Sequence, residues 1–261
     1  MASNPVKIVV GTGNRHKFDE IRAILAELKH IELVPLSAYP GVPPIEENEK
    51  TFEGNSKKKA LELARFLRLA GNVSYANQST AADDDDETDF EALSAKRHRE
   101  VSSRRKAVKL TSSGRMEAVP PPDYDVLVMA DDSGLEVDAL NGAPGVTSAR
   151  YAGRHGDDSA NNRLLLENLK GVPTEKRRAR FVCTIALAWP DGVLISTRGT
   201  VEGRIINELK GKGGFGYDPL FFYPPLGKTF GEIEAETKNK LSHRHNALTN
   251  FKVELQKLLK A

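Results

Sequence analysis

Two adjacent carboxylates, Asp131 and Asp132, follow an apolar run from Asp125 to Met129 and lead into Ser133-Gly134. Unpaired carboxylates after an apolar strand are costly to bury, so this pair points to a nearby cation or a substrate water. Adjacent strand residues face opposite ways, so the two share one role only if the chain turns between them, which Gly134 permits. Thr12-Gly13-Asn14-Arg15-His16-Lys17 sits where a β-branched run meets a helical pattern. Backbone N–H groups, a hydroxyl, an amide and a lysine converge there, which suits an anion such as a triphosphate; a solvated helix start is the plain alternative. A dinucleotide-binding GxGxxG would need glycine at His16, and a Walker A loop ending in Gly227-Lys228-Thr229 would need glycine at Phe222.

Three further segments carry suitable groups. Glu46-Glu47 precedes Thr51 and Asn55, with Lys59 one helical turn beyond Asn55. Such glutamates either complement a helix dipole or supply the hard oxygen that Mg²⁺ needs. In Gly213-Gly214-Phe215-Gly216-Tyr217-Asp218 the glycines let backbone approach closely and leave the Phe215 ring face open for a base, or simply make a hairpin around a packed ring. Lys238 with Ser242-His243-Arg244 supplies donors able to read a purine carbonyl, or is a basic helix start.

The elements that must position these groups alternate strand and helix. Lys7 to Val10 reads as a strand and Lys17 to Leu28 as an amphipathic helix. Leu33 to Leu36 is a second strand, and Thr51 opens a helix through Leu69. After the strand that carries Asp131, a helix is expected over Ser159 to Leu169. An antiparallel pair follows, Arg180 to Trp189 with Val193 to Glu202 around Asp191-Gly192, and a closing helix over Asn246 to Leu259. Carboxylates at a strand's carboxyl end belong to the usual ligand edge of an α/β sheet.

Composition changes after Gly71. Residues 72–123 hold an acidic block (Asp83 to Glu87), a basic stretch (Lys96 to Lys109) and a proline run, with few large apolar side chains. Such a stretch cannot offset its ordering entropy and reads as a disordered insertion in a single domain, with an exposed helix near Phe90 to Leu110. It is either a tolerated surface insertion or a tether for RNA or a partner through Lys96, Arg97, Arg99, Arg104, Arg105 and Lys106. The net charge of +2 over 261 residues gives no global footprint of a dedicated nucleic-acid or membrane binder, so a small partner is expected. Cys183 is the single cysteine, which excludes an internal disulfide and a cysteine zinc site. The opening apolar run is too short for a signal or a span, so the expected setting is cytoplasmic.

Taken in order, these segments resemble the inosine triphosphate pyrophosphatase family, also called XTP/dITP diphosphatases, and its bacterial form more than the animal one. The string ADDSGLEVDALNGAPGVTSARYAG is the most specific part, with GGFGYDP and SHRHNAL following at the expected spacing. The resemblance covers nearly everything except 72–123, which is the one departure.

It implies an elongated α/β subunit with a long twisted mixed sheet, two lobes flanking a cleft, and a homodimer. Carried over by position, Thr12, Asn14, Lys17 and Lys59 would hold the triphosphate, with Gly13, Arg15 and His16 in the same segment. Glu47 and Asp132 would serve Mg²⁺, and Asp132 would also accept a proton, with Asp131 beside it and Ser133 touching substrate. Phe215 would stack on the base next to Gly216 and Tyr217, while Asp218, Lys238, His243 and Arg244 would line its polar edge. The implied reaction releases pyrophosphate from ITP, dITP or XTP. Donors aimed at O6 would reject adenine, whose amino group leaves them unpaired. The competing readings are a Maf-like pyrimidine nucleotide pyrophosphatase and a non-enzymatic nucleotide- or RNA-binding module.

Overall fold

A computed structural model describes residues 5–79, 109–110, 116–117 and 127–260. Strand β1 (Val6–Val10) leads through Gly11-Thr12-Gly13 into helix α1 (Arg15–Leu25), and β2 (Ile31–Pro35) returns parallel to β1. Helix α2 (Phe52–Ser79) follows, then a small antiparallel pair, β3 (Lys109–Leu110) with β4 (Met116–Glu117). The long strands β5 (Leu127–Val137), β6 (Arg178–Trp189) and β7 (Gly192–Ile205) carry the rest of the molecule, with helix α3 (Asp158–Asn168) between β5 and β6. The short strands β8 (Phe221–Tyr223) and β9 (Lys228–Thr229) precede helices α4 (Ala235–Leu241) and α5 (His243–Leu258). The main sheet has seven strands in the order β2-β1-β5-β6-β7-β8-β9, parallel through β2, β1 and β5 and antiparallel beyond. This is the mixed-sheet α/β architecture expected.

Side-chain alternation decides which helix each sheet face receives. Ile8 and Val10 of β1 and Leu127 and Met129 of β5 pack with Ile21 and Leu25 of α1 and with Leu248, Phe251 and Leu255 of α5. Val9 and Val128 face the other way, onto Leu63, Ala64 and Leu67 of α2. Further along the same long strands a second large core gathers Leu135, Val137, Leu165, Phe181, Phe221 and Phe230. Phe251, Phe221 and Phe230 are wholly buried, and each ring removed from water contributes about 1.5–3 kcal/mol.

Parallel pairing of β1 with β5 stops at Val10 opposite Met129, whereas β5 continues to Val137 beside β6. Asp131 and Asp132 therefore lie just past the carboxyl end of β1 but inside β5, not at the carboxyl end of their own strand. The chain does not turn at Gly134. That glycine is a strand residue, and a Cβ there would collide with the Ser148 side chain, whose hydroxyl accepts the Leu135 N–H at 2.9 Å. Close approach, rather than a bend, requires glycine.

Helix α2 also runs past Leu69 to Ser79, into the stretch read as insertion, since adding a turn to a formed helix costs far less than starting one. Of the helix expected near Phe90 to Leu110, residues 90–108 lie outside the described residues, and Lys109 and Leu110 are strand. Among the described residues no helix is long and apolar enough to cross a membrane.

Candidate active site

Because β5 is continuous, the two carboxylates project to opposite faces. Asp131 shares the face of Met129 and meets α1 and α5: Lys17 Nζ lies 3.1 Å and Arg244 Nη2 3.6 Å from its Oδ2. Burial opposes its ionisation, but Lys17, Arg244 and Lys59 outweigh that and hold its carboxyl well below the usual carboxylate range. Arg244 moves in the matching direction: burial disfavours its charge, and Asp131 and Glu20 more than restore it. Its Nη1 donates to Glu20 at 3.0 Å and its Nη2 to Ser133 Oγ at 3.4 Å.

Asp132 shares the face of Ala130 and meets the start of α2. Its Oδ1 accepts the Ser133 N–H at 2.8 Å and its Oδ2 accepts from Asn55 Nδ2 at 2.9 Å. Burial pushes its carboxyl up to about 6; the Asn55 and Ser133 bonds and Lys59 oppose this, and the negative charge of Glu47 adds to it. Glu47 is ion-paired with Lys59, and Arg150 Nη2 donates to the Glu47 carbonyl at 3.2 Å. Burial works against the Lys59 ammonium, yet Asp131, Glu47 and Asp132 together raise its pKa.

Glu47 and Asp132 are two hard carboxylates whose charges oppose each other. A hydrated Mg²⁺ fits that donor set, since the ion is commonly held by one or two carboxylates with phosphate oxygens and waters completing its shell. Among the described residues no cluster of three or more His, Cys, Asp and Glu offers an all-protein metal cage.

At the mouth of β1, Thr12 Oγ1 accepts the Asn14 N–H at 3.2 Å and Asn14 Oδ1 accepts the Lys17 N–H at 3.2 Å. These bonds shape the start of α1 and leave Gly13, Asn14 and Arg15 exposed, with Lys17 reaching back to Asp131. His16 is the second residue of the same helix.

A second group lies on the α4–α5 side. Phe215 is 62% exposed, with Lys238 Nζ 4.6 Å from its ring centroid, and Lys238 is ion-paired with Asp218. Burial raises the Asp218 carboxyl and the lysine offsets only part of that. His243 is buried with its ring stacked on Phe181 at 5.1 Å, its Nδ1 without a protein partner. Burial, then Arg244, Lys238 and Lys17, hold it well below the usual histidine range, so it is neutral. Charges from both groups, Lys17, Asp131 and Arg244 on one side and Lys238 on the other, act on that ring. Tyr217 is buried and donates to the Ser148 carbonyl at 2.8 Å, anchoring the loop behind Phe215.

A charged row thus extends from an exposed helix start to an exposed aromatic, with Asp132 on the sheet's other face. The Ham1 family model matches residues 8–85 and 72–254. The chain belongs to the Ham1 family. It is 39% identical over 254 residues to a dITP/XTP pyrophosphatase of Clostridium perfringens, covering 97% of this chain and 99% of that one. A dITP/XTP pyrophosphatase of Desulforamulus reducens is 38% identical over 243 residues, 93% and 92% of the two chains. The HAM1 protein of Coxiella burnetii has the same fold, with a TM-score of 0.69 at 30% identity over 97% of this chain and 99% of that one.

Several residues around this candidate site escape a reading of local spacing. Asn162 Nδ2 donates to the Gly216 carbonyl at 2.8 Å, and Asp158 Oδ2 accepts the Gly216 N–H at 2.6 Å. The first turns of α3 thus grip both backbone polar groups of Gly216, the residue after Phe215, whose φ is 59°. An Asp at a helix start signals only capping, so nothing local marks this role. Glu20 looks like a solvated helix residue until Arg244 and Ser242, over two hundred residues away, are found against it. Asn55 and Arg150 are likewise visible only in three dimensions.

Proposed function

We propose that this chain hydrolyses the non-standard purine nucleoside triphosphates ITP, dITP and XTP to the monophosphate and pyrophosphate, with Mg²⁺ held by Glu47 and Asp132. The observation that carries this reading is the division of labour across β5. Asp132, a carboxylate that burial raises to about 6, stands on one face, and a row of carboxylate-paired cations, Lys17, Arg244 and Lys238, lies on the other.

Water attacks the α-phosphorus, Asp132 takes its proton, and pyrophosphate leaves toward Lys17, Lys59 and the N–H groups at the start of α1. The cation supplies neutralisation of phosphate charge when bound. A base whose pKa is near working pH is the efficient one, and burial brings Asp132 there. Burial pushes the Cys183 thiol up to about 12, which leaves it no part in the chemistry. Lys238 and Arg244 would present donors to O6 of the purine, with His243 next to Arg244 in the chain. The same reading takes the protein as a cytoplasmic homodimer.

Phe215→Ala is expected to lower kcat/KM for ITP and for poor purine substrates by the same factor. Stacking is blind to which purine is bound, and a lost base–aromatic contact costs about 1–3 kcal/mol. Parallel kinetics on ITP and ATP check this; a loss confined to ITP would make Phe215 a specificity element instead.

A nucleotide panel tests the function: pyrophosphate release from ITP, dITP, XTP, ATP, GTP, CTP and UTP, with Mg²⁺ and with chelator. We expect kcat/KM for ITP and XTP to exceed that for ATP by about 10²-fold or more, since a donor-lined site leaves its groups unpaired against adenine. Activity should be lost with chelator. Preference for UTP or CTP would overturn the purine assignment.

A further inference from the structure

The side-chain amide of Asn55 joins two parts of the site that are distant in sequence. It is 1% exposed in the first turn of α2. Its Nδ2 donates to Asp132 Oδ2 at 2.9 Å, while its Oδ1 accepts the Glu49 N–H at 2.9 Å. The partners settle which way the amide points, because the carboxylate needs a donor and the backbone N–H needs an acceptor.

The two bonds act on both carboxylates of the proposed centre. With Ser133 N–H on Oδ1 and Asn55 on Oδ2, each oxygen of Asp132 holds one donor, so the plane of the carboxylate is set from two different elements. Each oxygen keeps a second lone pair for a hard cation or a proton. Glu49 lies two residues beyond Glu47, so the same amide pins the loop that carries the other carboxylate. Asn is the residue type that offers a donor and an acceptor from one short planar group; Asp, Ser or Ala at this position would lose at least one of the bonds.

We infer that Asn55 is a positioning residue, whose amide fixes the Asp132 carboxylate relative to the Glu47 loop so that both reach one cation and Asp132 faces the attacking water. This rests on the reading of Asp132 as proton acceptor. Groups one shell away from a metal commonly change metal affinity or activity by about 10–100-fold when removed.

The test uses the full chain with Asn55→Ala, Asp132→Asn and the double variant. Two readouts are taken: steady-state ITP hydrolysis, and the Mg²⁺ concentration that half-completes the thermal upshift measured without nucleotide. For Asn55→Ala we expect kcat to fall about 10–100-fold with KM for ITP within about threefold, and the Mg²⁺ midpoint to rise about tenfold. In the Asp132→Asn background the kcat loss from Asn55→Ala should shrink to the part carried by the Glu49 bond and the Glu47 loop, because a residue acting through another is not additive with it. Wild-type kcat and Mg²⁺ midpoint in Asn55→Ala, or a full additional loss in the double variant, would overturn the inference. If Asn55→Ala does not fold, Asn55→Asp replaces it, since it keeps the acceptor for Glu49 and exchanges the donor to Asp132 for a like charge; an unchanged kcat there also overturns it. Failure of both to fold assigns Asn55 to folding alone and overturns it as well. A wild-type chain that releases no pyrophosphate from ITP would instead sink the functional reading, so the two failures are distinct.

Discussion

Asp132→Asn will leave the protein folded and lower kcat for ITP by about 10²–10⁴-fold, the usual contribution of a positioned general base. The amide has the shape of the carboxylate and its oxygen can still accept from Asn55 or from the Ser133 N–H, while the other donor faces the new NH2 group, a cost of about 1–3 kcal/mol that leaves the fold intact. What it loses is the ability to take a proton and to serve as a strong ligand for a hard cation. The removed charge is one that burial and Glu47 disfavour, so losing the charge offsets part of that cost. Saturating kinetics with a thermal melt on the same sample check this. A folded variant with near-normal kcat would take the base role away from Asp132.

Asp131→Asn will behave in the opposite way, as a stability mutation first. Asp131 is 4% exposed and answers the charges of Lys17 and Arg244, the latter itself buried. Removing its charge takes the counter-ion from the half-buried Lys17 and leaves the buried Arg244 with Glu20 alone, which should cost about 2–4 kcal/mol, somewhat less than a fully orphaned buried charge. The pH dependence has a definite sign. Because the folded-state pKa of Asp131 is depressed, its contribution is fully present above the ordinary value of about 3.9 and is lost as pH falls from there toward the folded-state value. Urea denaturation of wild type and variant at pH 7 should therefore show a gap that narrows below about pH 4. A gap of under about 1 kcal/mol at pH 7, the size expected of an exposed pair, would show that Asp131 is not the counter-ion the geometry makes it.

These two neighbours illustrate what could be read from the chain alone. Strand alternation already places Asp131 and Asp132 on opposite faces, and the structure keeps them there because β5 runs straight through both. The bend suggested at Gly134 fails because local sequence does not distinguish a glycine needed for a turn from one needed for contact with Ser148. Thr12 to Lys17 was legible as a helix start because its signals are local. Lys59 was legible as one turn beyond Asn55, but its ion pair with Glu47 was not. Asn55 to Asp132, Arg244 to Glu20 and Asn162 to Gly216 are bonds between elements brought together only by the sheet order, and no spacing rule reaches them. The boundary of α2 was misplaced for a different reason: composition marks where apolar packing ends, and a helix can continue past it.

The central claim is that water attacks the α-phosphorus of a purine triphosphate in this site. Hydrolysis of ITP in ¹⁸O-enriched water with Mg²⁺ tests it most directly. Mass spectrometry of the products should find the label in inosine monophosphate and none in pyrophosphate. Label in pyrophosphate, or release of inosine diphosphate with labelled orthophosphate, would contradict it.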